Sequence, residues 1–237
     1  MRQIVLSALL TVLLLSGCAS TRQGGGEAVC DCQRAVRVPD RAFRTFLLDN
    51  GYAVKTGWLR LKATAEGCAL KTLECYGRDI HSLEGIEMFP QLEELTCSDN
   101  PITELDLSVL PRLESLYALD VPLQRFDVGD CCHLKRIQLS HTRLDTFDLT
   151  PLPMLEGLLV IFTPLTSIDI TPCQRLTTLY IRGTQITEVD LSGNPAMREL
   201  HALDTPLETL VVTPAQYDGG VRASVSDSVQ VIVGKAG

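Results

Sequence analysis

The sequence predicts a solenoid of parallel strands: seven stacked units, with coils of 21 residues, behind a small helical N-terminal cap. Three observations predict it. From Leu92 one pattern of apolar residues returns at Leu113, Leu134, Leu155, Leu176 and Met197, five steps of 21 residues with no insertion. Within each unit the apolar positions alternate in two short runs, the period of a strand with one buried face. No unit has room for a long helix, so both long edges of a coil should be extended.

The chain opens on a segment that is not fold. Residues 1–17 place Arg2 before an apolar run from Ile4 to Leu15. That run is shorter than the roughly 20 residues of a permanent span and suits the core of a secretory signal. It ends on Leu15-Ser16-Gly17-Cys18, which resembles the lipobox of bacterial lipoprotein precursors. The resemblance implies cleavage before Cys18 and acylation of that cysteine. Ala19 follows, not Asp, which in a Gram-negative cell implies sorting to the outer membrane. Residues 18–29 are then a lipidated tether, small, polar and Gly-rich. The expectation is an exported chain held in a membrane by its lipid, facing either the periplasm or the cell surface.

Residues 30–69 are expected to form the cap and 70–212 the repeats. Numbered from their first leucine, units are apolar at positions 1, 4, 6, 11, 14 and 16. Position 6 is Cys97 in one unit, and position 11 runs Ile80, Ile102, Leu123, Leu144, Leu165, Ile186 and Leu207. A unit cannot bury this side alone, but stacked units share one aliphatic core. Position 9 is Asn100 once and Thr142, Thr163, Thr184 or Thr205 in later coils. Such side chains bond backbone groups that a bend leaves unpaired. The first unit, Leu70 to Gln91, is one residue longer than the others. Residues 213–237 form a C-terminal cap in which the run Ser228–Val233 closes the last coil.

Units of the form LxxLxLxxTxLTxLDLSxxPxL resemble the short leucine-rich repeats of internalins, and still more the internalin-like surface lipoproteins of Bacteroidetes and related bacteria. The segment Val38–Leu48 is similar to their capping helix, and Ile80–Glu87 to their expanded first unit. The resemblance covers residues 38 to 212 and implies a fold, not a ligand. Relatives often carry a calcium-loop-like stretch after the cap helix. Here, counted from Asp49, the ligand positions of such a loop hold Asp49, Gly51, Ala53 and Arg60, so calcium is not expected. The reading instead is a degenerate loop packed around Trp58.

Composition and motifs speak against catalysis and against nucleic acid. The net charge of −8 does not suit a phosphate backbone. There is no nucleophile elbow and no phosphate loop before a strand. His81, His133, His141 and His201 form no zincin pattern. Asp106, Asp127, Asp148, Asp169 and Asp190 recur every 21 residues, a periodic ladder on a solvated edge and not a local acid–base pair. Cys75 and Cys97 sit at the core position and read as free buried thiols. Cys131 and Cys173 share an inward corner two coils apart, about 9–10 Å by strand spacing and beyond disulfide reach. Cys132 reads as the exposed thiol. A staple between Cys68 and either Cys30 or Cys32 would hold the small cap. No cofactor and no metal are expected.

What the fold does not explain lies on the outward side of the first strands. Positions 5, 7 and 8 include Tyr117, Leu119, Leu159, Ile161, Phe162, Tyr180, His201 and Leu203. Positions 4 and 6 already supply the core, so apolar and aromatic side chains here have no duty within the coil. They form a candidate patch rimmed by Glu94, Arg136, Arg182 and Glu199. The expected function is a non-catalytic binding module for a protein ligand. The two tyrosines keep a glycan open, and a structural envelope spacer is the rival that needs no such face.

Overall fold

The computed structural model describes Cys32 and residues 34–129 and 133–234. The leader, Cys18, the tether, Cys30, Cys131 and Cys132 lie outside the described residues.

The cap begins where the sequence places it. Asp40 caps a helix over Arg41–Asp49 by accepting the Phe43 N–H at 2.7 Å, and the helix buries Phe43, Phe46 and Leu47. Strands on either side of it in sequence form a three-stranded antiparallel sheet, Val36–Arg37 against Arg60–Ala63 against Ala53–Gly57. The supposed degenerate calcium loop is therefore a β-hairpin. Trp58 and Leu59 form its two-residue tip, with Leu59 at φ +57°. Trp58 is 87% exposed, which corrects the packed loop core expected from sequence. A two-residue turn directs its side chains beyond both strands, where the cap offers nothing to cover them. Cys32 pairs with Cys68, joining the start of the cap to its second helix, Ala65–Cys68. Of the two partners left open for Cys68, it is Cys32.

The coils stack as the period demands. Eight parallel strands form the main sheet: Thr72–Glu74, Glu94–Thr96, Ser115–Ala118, Arg136–Ser140, Gly157–Ile161, Thr178–Tyr180, Glu199–His201 and Arg222–Ser224. The register is in phase throughout: Leu95, Leu116, Ile137, Leu158, Leu179 and Leu200 stand opposite one another and are all buried. One continuous core runs from Val38 in the cap to Val212.

Two expectations change. Seven units become eight turns, because Arg222–Ser224 and Gln230–Val233 extend the two ladders beyond the last recognisable repeat. This final turn lacks the leucine pattern since nothing stacks on its far side. Its Val231, Ile232 and Val233 stay exposed. The second long edge is also not a strand in every coil. It is paired at Glu104–Asp106 with Arg125–Asp127, and again through Glu188–Asp190, Thr209–Val212 and Gln230–Val233. Between these two groups the edge runs on without ladder pairing.

The corners close on side chains. Asn100 is buried; its amide donates to the carbonyls of Cys75, Cys97 and Ser98 at 2.8, 2.9 and 3.1 Å, and its oxygen accepts the N–H groups of Arg78 and Ile80. Thr184 and Thr205 do less of the same work, each donating to the carbonyl three residues back at 2.8 and 2.7 Å. Cys75, Cys97 and Cys173 are free thiols in the core. Burial pushes Cys75 and Cys173 up to about 12 and Cys97 well above its ordinary value, so all three stay protonated at neutral pH.

Candidate binding face

The outward side chains of the main sheet fall into rows, because the parallel strands are in phase. One row runs Thr96, Tyr117, Gln138, Leu159, Tyr180, His201, each directly opposite the next. Neighbouring strands lie about 4.8 Å apart, so the side chains cover one another's flanks. Tyr117, Leu159, Tyr180 and His201 are consequently half-buried, with one aspect facing solvent. Tyr180 and His201 stack with ring centroids 4.1 Å apart at 15°, and the His201 ring nitrogen Nε2 meets the Glu199 carboxylate at 2.9 Å.

The next row is not uniformly a surface row. At position 7, Leu119 and Ile161 are half-buried and Leu203 is 44% exposed. Ser98 and Ser140, at the same position, turn in instead. Their hydroxyls accept the N–H groups of Leu119 and Asp120 from the adjoining coil at 3.0 and 3.2 Å. Position 7 is thus a surface position only where its side chain cannot serve the backbone. The same row begins at Tyr76, 61% exposed, which the sequence reading passed over. The longer first unit hid it. Yet that unit keeps phase through its strand, since Thr72–Glu74 pairs in step with Glu94–Thr96.

Position 8 holds the most informative geometry. In every coil from Gly77 to Asp204 this residue is left-handed: Gly77, Asp99, Asp120, His141, Phe162, Gly183 and Asp204 have φ between +51° and +68°. Glycine accepts that conformation freely and aspartate tolerates it, whereas for a bulky residue it is an outlier. Phe162 is the bulky one, and it is 44% exposed. Its ring stacks on His141 with centroids 5.2 Å apart at 16°, and the Arg182 guanidinium lies over it at 5.7 Å. A Cβ at Gly183 would run into the ring, so this glycine makes room for it. The ends are tied by charge. His141 Nδ1 is 2.7 Å from Asp120, and the Arg182 guanidinium reaches Asp204 through Nε at 2.8 Å and Nη2 at 2.7 Å. The strip Asp120, His141, Phe162, Arg182, Asp204 crosses five consecutive coils. The sequence places Phe162 in the patch and Arg182 on its rim, but not Asp120, His141 or Asp204. A phenylalanine where sibling units carry Asp, Gly or His is the available signal.

The aspartate ladder belongs to the fold. Asp106, Asp127, Asp148, Asp169 and Asp190 each accept the N–H two residues on, at 2.8–2.9 Å, closing a turn. The Thr150 N–H holds Asp148 below the usual carboxylate value, and the Thr171 hydroxyl does the same for Asp169. On this side lies a groove of about 850 Å3 floored by Phe126 and Phe147, whose rings are 5.1 Å apart. Its apolar content has a structural cause: both phenylalanines occupy core position 14 and are too large to be swallowed whole. Among the described residues no group of three or more His, Cys, Asp or Glu is placed to hold a metal ion. No described helix is long and apolar enough to cross a membrane.

No protein-family model matches the chain, and no curated protein matches it. Solved structures do. The chain is similar to the functional domain of InlJ from Listeria monocytogenes, which includes a cysteine ladder: TM-score 0.57, 21% identity, 84% of this chain and 48% of that one. It is similar to internalin C2 of the same organism at TM-score 0.59 and 20% identity, covering 80% and 94%. TLR13, in its complex with ssRNA13, matches at TM-score 0.53 and 18% identity over 70% of this chain and 30% of that one. The fold is an internalin-like leucine-rich-repeat solenoid. At these identities the likeness is one of fold, and the chain spans about half the length of the InlJ domain.

Proposed function

We propose that this chain is a cell-envelope lipoprotein, related to the internalin-like surface lipoproteins of Bacteroidetes, that binds a protein ligand through its outward strand face and catalyses nothing. The observation that carries the reading is the Phe162 strip. A bulky residue in left-handed backbone is costly, and strain of this kind is kept where the exposed group is used. Around Phe162 lie Leu159, Ile161 and Tyr180, apolar or aromatic on a face whose core is already supplied from the other side. Charged side chains at Arg136, Arg182, Glu199 and Asp204 surround them, the layout of an interface with an apolar centre and polar rim. Cys18 would hold the chain in the outer membrane by its acyl groups, with the solenoid in the periplasm or at the cell surface.

Two measurements test this. Leu159→Glu and Tyr180→Ala, placed on the face, should each leave the melting temperature near wild type. Each should weaken capture of a partner from envelope or host protein fractions by about 2 kcal/mol or more if the residue is a central anchor. Unaltered capture by both variants favours a structural spacer. Separately, Cys18→Ser should abolish metabolic acyl labelling, and a labelled variant would overturn the anchor.

A further inference from the structure

The cap has an outer face that neither the solenoid nor the strand-face reading uses. Residues 34–64 carry seven Lys and Arg against two Asp, a net of +5 in a chain whose total is −8. The antiparallel register sorts the strands of this stretch into two faces and places three of the seven cations, Arg37, Arg60 and Lys62, on one of them. Val36, Leu61, Ala53 and Ala63 pair across the sheet and pack toward the core. Arg37 opposite Arg60, and Val54 opposite Lys62, share the other face, on which Val54 is 49% exposed. Arg37 also meets Glu84 at 2.7 Å in an exposed pair, and the Arg60 guanidinium donates to the Ala35 carbonyl at 2.9 Å. At the end of this basic face stands Trp58, the chain's sole tryptophan, 87% exposed on a two-residue turn.

We infer that the cap hairpin docks on an anionic phospholipid bilayer, with Trp58 entering the headgroup region and the cations meeting lipid phosphates. Indole prefers the membrane interface, where its ring is apolar and its N–H stays wet. Clustered Lys and Arg are drawn to an anionic leaflet, while the acidic remainder of the chain is repelled from it. Position agrees with chemistry. The chain between Cys18 and Cys32 spans at most roughly 50 Å when fully extended, so an acylated Cys18 would keep this hairpin close to the bilayer. The inference rests on the anchored reading for that proximity alone. One docked cap and one lipid would together restrict how the solenoid sits on the bilayer.

The test uses the chain from Ala19 onward, which has no acyl acceptor and contains the whole core from Val38 to Val212. It is mixed at low ionic strength with vesicles of phosphatidylglycerol and phosphatidylcholine, or of phosphatidylcholine alone. Trp58 reports its own environment. The expected result is a blue shift of its emission and shielding from acrylamide on the anionic vesicles only, reversed by salt. Trp58→Ser should lose co-sedimentation while keeping the melting temperature. Lys62→Gln, on the same face as Val54, should lower the partition about fivefold, the share of one cation removed. Unchanged emission, equal binding to neutral vesicles, or full binding by both variants overturns the inference. So does a blue shift that grows with protein concentration without vesicles, which would mean a second copy covers the tip. Failure here with Cys18 still acyl-labelled leaves the anchor standing; vesicle binding with Cys18 unlabelled removes the anchor and keeps the docking.

Discussion

The two long edges of each coil come from the same 21-residue unit, yet they carry different kinds of information. Along the second edge one outward residue is the same in coil after coil. Asp106, Asp127, Asp148, Asp169 and Asp190 recur because each closes the turn that follows it. Along the strand face the outward residue changes at every step: threonine, tyrosine, glutamine, leucine, tyrosine, histidine. Repetition here marks what stacking requires, and variation marks what stacking leaves free. A groove lies on the repetitive edge, but its apolar floor is core spilling outward at Phe126 and Phe147. The apolar residues of the strand face have no such cause.

Substitutions at different depths of the coil should separate the two edges. Truncation after Thr213 should do most damage. It removes Gln216, whose amide donates to the Leu191 and Asn194 carbonyls at 2.9 and 3.1 Å, and it uncovers both ladders at once. Open sheet edges template aggregation, so light scattering should rise on expression, and unchanged solubility would deny the last turn its covering role. Leu149→Ala strikes the core that both edges share. It should lower stability by about 2–5 kcal/mol in chemical unfolding, and a loss under about 1 kcal/mol would mean the repeat register is misread. Gly183→Ala should cost on the order of 1 kcal/mol from its left-handed backbone and displace the Phe162 ring, reducing partner capture along with the melting temperature. Asp190→Ala should cost a similar amount for one lost turn bond and leave capture untouched. That pair separates the edges: similar stability losses, with a binding loss from one alone.

Acidity should probe the repetitive edge. Asp148 and Asp169 are held below their usual values in the folded chain, so what they contribute is fully present above about pH 4. It is lost as the pH falls through the depressed values. Melting temperature should therefore be flat on this account from neutral pH down to about 4 and fall below it. Asp148→Asn with Asp169→Asn should blunt that fall.

The fold was legible in the sequence because a repeat states its own geometry. Six in-phase units fixed which side chains face the core, and the positions of Leu95, Leu149 and Leu200 followed without reference to anything distant. Asn100 was readable as a corner residue for the same reason. Trp58 was not, because the cap occurs once and offers no sibling for comparison, and its segment alone does not distinguish an open hairpin from a packed loop. Of the eighth turn the closing run Ser228–Val233 was legible; Arg222–Ser224 was not, because a terminal coil has one unstacked side and loses the leucines that would announce it. Of the candidate face, the rows of Tyr117, Leu159 and Tyr180 were visible as alternation. The backbone of position 8 was not, since sequence alternation says nothing about the sign of φ, and the charges flanking Phe162 meet only across coils.

The most direct test of the strand face compares the two edges by contact. A photo-crosslinking amino acid is placed at position 159 on the face, or at position 188 on the second edge. Each protein is irradiated in intact cells or with host extract. The account predicts discrete crosslinked partners from position 159 and none from position 188. Crosslinks from position 188 alone, or the same partners from both, would contradict it.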